Sequence, residues 1–296
     1  SAGDVNGDGY DDVIVGAYRD ASWTGKTYVW YGSATGLTDG DDAGDADWSI
    51  AGEGTDDDFG FSVASAGDVN GDGYDDVIVG AWYDASYTGK AYVWHGSSTG
   101  LTDGSDAGDA DWNATGEGAG DSFGISVASA GDVNGDGYDD VIIGAYLDAS
   151  QTGKAYVWHG SSTGLTDGSD AGDADWSIAG EGTSDRFGYS VASAGDVNGD
   201  GYDDVIVGAY GDATYTGKAY VWHGSSTGLT DGSDAGDADW EIAGEGTSDY
   251  FGYSVASAGD VNGDGYDDVI VGAYYDATYT GKAYVWHGSS TGLTDG

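Results

Sequence analysis

Along this chain short apolar runs alternate with clusters of Gly, Asp, Ser and Thr, the pattern of brief β-strands joined by tight turns. The stretch Val77-Ile-Val-Gly-Ala-Trp82 is apolar throughout and carries one glycine, as in a strand buried on both faces with another backbone close by. Further strands are predicted over 90–95 (Lys-Ala-Tyr-Val-Trp-His), 111–115 (Asp-Trp-Asn-Ala-Thr) and 123–128 (Phe-Gly-Ile-Ser-Val-Ala). No stretch shows helical periodicity.

The set recurs every 64 residues: Ser-Ala-Gly-Asp-Val-Asn-Gly-Asp-Gly-Tyr-Asp-Asp-Val-Ile begins at Ser1, Ser65, Ser129, Ser193 and Ser257. The repeats therefore run 1–64, 65–128, 129–192, 193–256 and, in part, 257–296. Four antiparallel strands form a sheet too small to bury itself, and radial stacking of such sheets gives a β-propeller. A linear β-solenoid is the alternative, but its repeats are usually much shorter. The expected fold is all-β, one propeller domain over 1–296 with about five four-stranded blades. The first blade lacks its inner strand and the last its outer one, so 18 strands are expected where five complete blades need 20. Unpaired edges invite strand sharing, so a homo-oligomer is an expected partner state.

The 54 acidic residues outweigh 7 basic ones for a formal charge of −47, which excludes nucleic-acid binding by phosphate neutralisation. Such a chain recruits cations or tolerates self-repulsion. Aromatic residues at 13% favour a packed core over acidic disorder. Halophilic solubility is another account of the acid excess. Without cysteine, neither disulfides nor thiolate metal sites form. No apolar run approaches the ~20 residues of a spanning helix, so no membrane insertion is expected. No signal peptide opens the chain and its first residue is Ser, which suggests a mature form, an excised fragment or a designed sequence. The absence of Pro and Met beside near-identical repeats fits idealisation or recent duplication.

The Asp-rich loop carries the clearest chemistry. Calcium takes six to eight hard oxygens, which alternating positions of a tight loop present inward. In the first copy Asp4, Asn6 and Asp8 offer side-chain oxygens, Tyr10 its carbonyl and Asp12 a closing carboxylate, while Gly7 and Gly9 permit the turn. The equivalent sets are Asp68, Asn70, Asp72, Tyr74, Asp76; Asp132, Asn134, Asp136, Tyr138, Asp140; Asp196, Asn198, Asp200, Tyr202, Asp204; and Asp260, Asn262, Asp264, Tyr266, Asp268. Asp11, Asp75, Asp139, Asp203 and Asp267 point away or assist from outside. A solvated acidic turn is the plainer reading, since Asp, Asn and Gly are ordinary turn formers; five faultless copies weigh against it. Magnesium fits less well because it keeps its water and demands stricter geometry. The pattern matches the first nine positions of an EF-hand but has neither Glu at the twelfth nor flanking helices. A caged ion leaves no open position, and no nucleophile or base stands nearby, so no enzyme is expected. A second acidic run, 102–111, precedes the fourth strand on the same edge; a solvated loop is its simpler account.

Phe59-Gly60, Phe123-Gly124, Phe187-Gly188 and Phe251-Gly252, the Val-Gly-Ala strands and the Asp-rich loops between them resemble the FG-GAP repeats of integrin α-subunit propellers and of related bacterial and fungal propellers. The resemblance covers essentially the whole chain. It implies a calcium-binding propeller, about five Ca²⁺ ions closed in by the ninth-position Asp, and an extracellular or cell-surface adhesion role. Ligands of such propellers dock away from the calcium loops, and fungal relatives are lectins. The Pro of the family's Gly-Ala-Pro is replaced here by Tyr18, Trp82, Tyr146, Tyr210 or Tyr274, and integrin propellers have seven blades.

Differences between repeats concentrate in two connections, both predicted on the face opposite the Asp-rich loops. One holds Arg19 and Trp23, Tyr83 and Tyr87, Leu147 and Gln151, Gly211 and Tyr215, and Tyr275 and Tyr279; the other holds Asp58, Ser122, Arg186 and Tyr250, followed by Phe61, Ile125, Tyr189 and Tyr253. Tyr and Trp on loops of a rigid scaffold suit a protein or glycan ligand. His95, His159, His223 and His287 end equivalent strands in separate blades and read as strand-end packing or hydrogen-bonding groups. Lys26, Lys90, Lys154, Lys218 and Lys282 read as counter-charges, and Trp48, Trp112, Trp176 and Trp240 as packing between blades. The rival to a recognition module is a structural or self-assembling scaffold, natural or designed, that binds only calcium.

Overall fold

Strands form where the apolar runs lie, and they end where Asp and Gly bend the chain. The computed structural model describes residues 1–37, 42–102, 104–166, 170–275 and 280–294. Its strands are β1 (Val13–Ala17), β2 (Lys26–Trp30) and β3 (Trp48–Ala51) in the first sheet, and β4 (Ser62–Gly67), β5 (Asp76–Ala81), β6 (Lys90–Trp94) and β7 (Trp112–Thr115) in the second. The third sheet holds β8 (Phe123–Gly131), β9 (Asp140–Ala145), β10 (Lys154–Trp158) and β11 (Trp176–Ala179). The fourth holds β12 (Phe187–Gly195), β13 (Asp204–Ala209), β14 (Lys218–Trp222) and β15 (Trp240–Ala243), and the fifth β16 (Phe251–Gly259), β17 (Asp268–Ala273) and β18 (Lys282–Trp286).

Each sheet keeps its strands in chain order as an antiparallel meander, with three strands in the first and last sheets and four in the others. These 18 strands among the described residues match the number the repeat implies. The inner strand outruns its predicted end, reaching Gly131 in β8, because the residues before the Asp-rich loop stay paired past a register shift such as that between Ser193 and Gly195. Short helical turns, which the pattern did not suggest, occur at Asp20–Trp23 and its equivalents and, as 3-10 turns, at Ala43–Asp45 and its equivalents. Among the described residues no helix is long and apolar enough to cross a membrane.

The chain divides into two compact units, one of Ser1–Ser129, Tyr138–Val141 and His159–Asp173, the other of Ala130–Gly137, Ile142–Trp158 and Ala174–Gly296. In the first, Val5, Ile14, Val29, Trp48, Ile50, Phe59, Val77, Val79, Tyr92 and Trp94 form a buried core. Val197, Ile206, Val221, Trp240, Phe251, Val255 and Val269 do so in the second. Each such side chain contributes roughly 1.5–3 kcal/mol on leaving water. Every residue of β5 is buried, as its unbroken apolar run requires.

Neighbouring repeats lock together through aromatic edges. Trp48 meets Trp94 at 5.5 Å between ring centres, and Phe59 meets Tyr92 at 5.6 Å, both edge-to-face. Trp176 with Trp222 and Phe187 with Tyr220 repeat the arrangement in the second unit. The indole N–H of Trp48 donates to the Thr102 carbonyl at 2.9 Å, so the outer-strand tryptophans serve the inter-repeat packing expected of them. The lysines pair across repeats as well: Lys90 with Glu53 at 3.0 Å, and Lys218 with Glu181 at 2.8 Å.

Candidate functional site

Two kinds of residue gather at opposite ends of the second strand of each repeat. The Asp-rich loop enters that strand and the variable connection leaves it, so a strand of five or six residues, roughly 17–20 Å, separates them.

At the loop end, glycines at positive φ (Gly7 69°, Gly9 89°) let the chain wrap around its own carboxylates. Asp4 accepts the amides of Asp8 at 3.0 Å and Gly9 at 2.8 Å; Asn6 accepts Asp8 at 2.9 Å, and Asp8 accepts Tyr10 at 3.1 Å. The same bonds recur around Asp68, Asn70 and Asp72, around Asp196, Asn198 and Asp200, and around Asp260, Asn262 and Asp264. In the third copy Asp132 accepts Asp136 and Gly137, and Asn134 accepts Asp136.

The ninth-position carboxylate is the loop's buried member. Asp12 is 1% exposed and Asp76, Asp140, Asp204 and Asp268 are 0% exposed. Asp12 accepts the Val5 amide at 2.9 Å and the Gly32 amide at 2.7 Å, and thereby ties its loop to the connection that follows β2. Burial pushes the Asp76 and Asp204 carboxyls up to about 8; the Gly96 and Val69 amides oppose it at Asp76, and the charges of Asp68 and Asp72 add to it. Asp12 is raised by burial too, with Asp4 and Asp8 adding to the effect. Three carboxylates thus repel one another around one loop, a donor set of hard oxygens that fits a cation. The fifth copy differs: burial acts against Asp268, yet hydrogen bonds from the Gly288 amide, from His287, whose Nδ1 lies 3.0 Å away, and from the Val261 amide leave it lowered. Among the described residues no three acidic or histidine side chains make a preformed metal cage. A cation in these loops would depend also on the Asn side chain and the Tyr carbonyl.

The eighth-position aspartate, expected to point away or to assist from outside, has a definite partner. Asp75 accepts the amide of Asp4 at 2.7 Å, so it caps the loop of the preceding repeat. Asp139 does the same for Asp68, Asp203 for Asp132 and Asp267 for Asp196. The Tyr74 ring lies against Gly7 of that same preceding loop.

At the opposite strand end the aromatic side chains come together. Tyr18 stacks edge-on to Phe61 at 5.2 Å, Phe61 to Trp82 at 5.8 Å, and Trp82 to Tyr83 at 5.4 Å. Tyr83 and Tyr87 are 4.0 Å apart, and the Arg19 guanidinium lies 4.5 Å from the Trp23 ring centre. In the second unit Tyr189 donates to Tyr253 at 2.9 Å, Tyr210 adjoins both, and Tyr215, Tyr250 and Tyr275 pack in series at 5.0 Å. Arg186 bonds Tyr210 at 2.5 Å and Gln151 at 3.5 Å. Leu147 opens the third turn, whose Gln151 amide it accepts at 3.1 Å. Tyr279 lies outside the described residues. The aromatics standing where Pro was expected, Trp82 and Tyr210 above all, belong to these clusters; sequence reasoning gave them no role at the site, and the missing Pro is the one signal that could have flagged them.

The variable turns are left-handed. Ala21, Ser22 and Trp23 have φ of 48°, 64° and 66°, and the equivalents at 85–87, 149–151 and 213–215 repeat it. L-residues pay about 1–2 kcal/mol each for this conformation.

His95, with no partner at Nε2, packs against Gly164, and Tyr31, its counterpart in the first repeat, accepts the Leu101 amide at 3.1 Å. Both are packing roles.

The FG-GAP repeat family matches at residues 1–30, 59–94, 123–158, 187–222 and 251–286, more than half of the chain. Integrin alpha-V of Gallus gallus is 34% identical over 220 residues, which cover 73% of this chain and 20% of the relative. Integrin alpha pat-2 of Caenorhabditis briggsae is 32% identical over 232 residues, covering 71% and 17%. Integrin alpha-4 of Xenopus laevis is 27% identical over 267 residues, covering 89% and 24%. The chain thus spans about a fifth of the length of these relatives. Each family match carries one Phe-Gly strand or its continuation, one Asp-rich loop and the strands that follow, in the register of the structure, and the chain therefore belongs to the FG-GAP repeat family of β-propellers, with its first and last blades incomplete.

Proposed function

We propose that the chain is a calcium-stabilised, non-enzymatic recognition module of an extracellular adhesion protein, with about five Ca²⁺ ions in the Asp-rich loops and a protein or glycan ligand on the aromatic strand ends. One observation carries it: each of the five loops encloses a closing carboxylate at most 1% exposed, set among further acids. A buried carboxylate is costly unless a positive charge offsets it.

Asp4, Asn6, Asp8, the Tyr10 carbonyl and Asp12, and their equivalents, are the residues that would hold the ion, which when bound supplies positive charge. The chain's own contribution is to fix those oxygens by backbone amides before any ion arrives. The integrin names of the relatives support adhesion as the setting. The clustering of Trp and Tyr away from the metal loops supports a separate ligand surface.

The test is a thermal melt with calcium and again with a chelator at matched ionic strength. Each filled site adds about 2.7 kcal/mol at a hundredfold excess over its dissociation constant, so a calcium-specific rise of several degrees is expected. An equal rise with any salt would reduce the loops to acidic turns and overturn the proposal.

A further inference from the structure

Each Phe-Gly pair seats on the sheet of the repeat before it, and the contacts keep one register. Gly217 bridges Phe251 in parallel fashion, as the corresponding glycine of each earlier repeat bridges the next phenylalanine. Gly208 lies so close to Gly252 that a Cβ on it would run into the Gly252 carbonyl. Two residues past the Phe, an aromatic ring meets the tyrosine at the end of the preceding repeat's second strand: Tyr189 on Tyr146 at 5.3 Å, and Phe61 on Tyr18 at 5.2 Å. Four past it, an amide finds a serine of the preceding inner strand. Val255 donates to Ser190 Oγ and Val127 to Ser62 Oγ, both at 3.1 Å.

The sequence holds four Phe-Gly pairs for five sheets, and among the described residues no phenylalanine bridges Gly281 in the fifth. The receiving side of the contact is nevertheless present there. Gly281, Gly272, Tyr274 and Ser254 stand at the positions of Gly217, Gly208, Tyr210 and Ser190, and together they line a cavity of about 260 Å³. Val285 is 46% exposed where Val221 is 0%, and Tyr274 is 55% exposed where Tyr210 is 6%. A Cβ on Gly272 would meet nothing closer than 3.7 Å. This apolar face, with its serine acceptor and its two close-approach glycines in place, is shaped for the strand that the four other sheets receive.

We infer that the open face of β17 and β18 binds an extended segment of another polypeptide that begins Phe-Gly-aromatic, with the amide four residues past the Phe donating to Ser254 Oγ. The Phe ring would lie over Ile270 and Val285, the counterparts of Ile14 and Val29, which share a core with Phe59. The site continues the interface that joins successive repeats, and that interface defines the occupant. A second copy does not supply it, because Phe59, Phe123, Phe187 and Phe251 are each at most 1% exposed within their own repeats. The occupant is a different chain with an unpaired strand of this pattern, captured by backbone contact and alternate side chains. The inference does not depend on calcium in the Asp-rich loops.

The probe is a rhodamine-labelled peptide copying residues 250–259 (Tyr-Phe-Gly-Tyr-Ser-Val-Ala-Ser-Ala-Gly), titrated into the full chain in calcium at pH 7 and followed by fluorescence anisotropy. Saturable one-to-one binding is expected, weakened at least tenfold by alanine at the peptide's Phe or by scrambling its order. Gly272→Ala, which has room for its methyl group in the free chain, should leave the thermal melt unchanged and weaken the peptide at least tenfold. Ser254→Ala should weaken it several-fold. Were Gly272→Ala to unfold the chain, Ser254→Ala and the altered peptides decide the matter between them. No saturable binding, equal binding of the scrambled peptide, or unchanged affinity in either folded variant would overturn the inference. So would a concentration-dependent dimer, seen by light scattering, that Gly272→Ala breaks, since it gives the face to a second copy.

Discussion

Asp185 stands near Asp212, Glu181 and Lys218, with its Oδ2 accepting the Gly182 amide at 2.6 Å. Burial first, then the charges of Asp212 and Glu181, push its carboxyl up to about 6, against the Gly182 amide and Lys218. Between its ordinary value near 3.8 and about 6 the folded state therefore holds more protons than the unfolded one. Stability falls as pH rises through that window, and the cost is complete above it. Asp185→Asn keeps an acceptor for Gly182, so it should raise the melting temperature at pH 7 by a few degrees, about 1 kcal/mol, and flatten the profile between pH 4 and 6. Melts of both proteins across that range check it; an unchanged slope would refute the assignment. Glycine offers a second test at this scale. A Cβ on Gly80 would run into the Gly124 carbonyl, whereas one on Gly272 meets nothing closer than 3.7 Å. Gly80→Ala should cost about 3 kcal/mol in urea unfolding, while Gly272→Ala should be neutral or slightly stabilising. Equal effects would mean that the close approach does not constrain β5. The sequence already marked Gly80, because a glycine inside an apolar strand announces a neighbouring backbone. It could not mark Asp185, whose chemistry comes from burial against residues distant along the chain.

At the scale of elements, the strands and the Asp-rich loops were legible because both are local: apolar runs bounded by turn residues, and oxygens at alternating positions. Strand ends moved by a residue or more, Trp82 and His95 falling just beyond β5 and β6, since the last pairing depends on the partner strand. The left-handed turn at 20–24 was not legible. Nothing in Asp-Ala-Ser-Trp-Thr favours positive φ; the conformation is imposed by the flanking strands and by bonds such as Thr24 Oγ1 to the Ala21 carbonyl at 3.0 Å. The candidate ligand face followed the same division. Its variable loop positions could be named from repeat comparison, but Trp82 and Tyr210 sit at strand ends and joined it only once the fold brought them there.

For the whole molecule, period and composition together identified an acidic repeat protein of propeller class, which the family match and the five sheets bear out. What the period conceals is that the repeats are not independent. Because Asp75 caps the loop of the repeat before it, and Asp139, Asp203 and Asp267 do likewise, each of the first four loops is finished by its successor. The array therefore has a polarity: a defect at a capping aspartate reaches the loop upstream, toward the N-terminus. Asp139→Ala should weaken calcium uptake at the loop of Asp68 more than at its own, as read from the amide shifts of Gly71 and Gly135 during a titration. If both loops weaken alike, the caps are decorative. If the upstream loop fails first, a propeller of identical modules transmits occupancy in one direction, as a row of dominoes passes a fall.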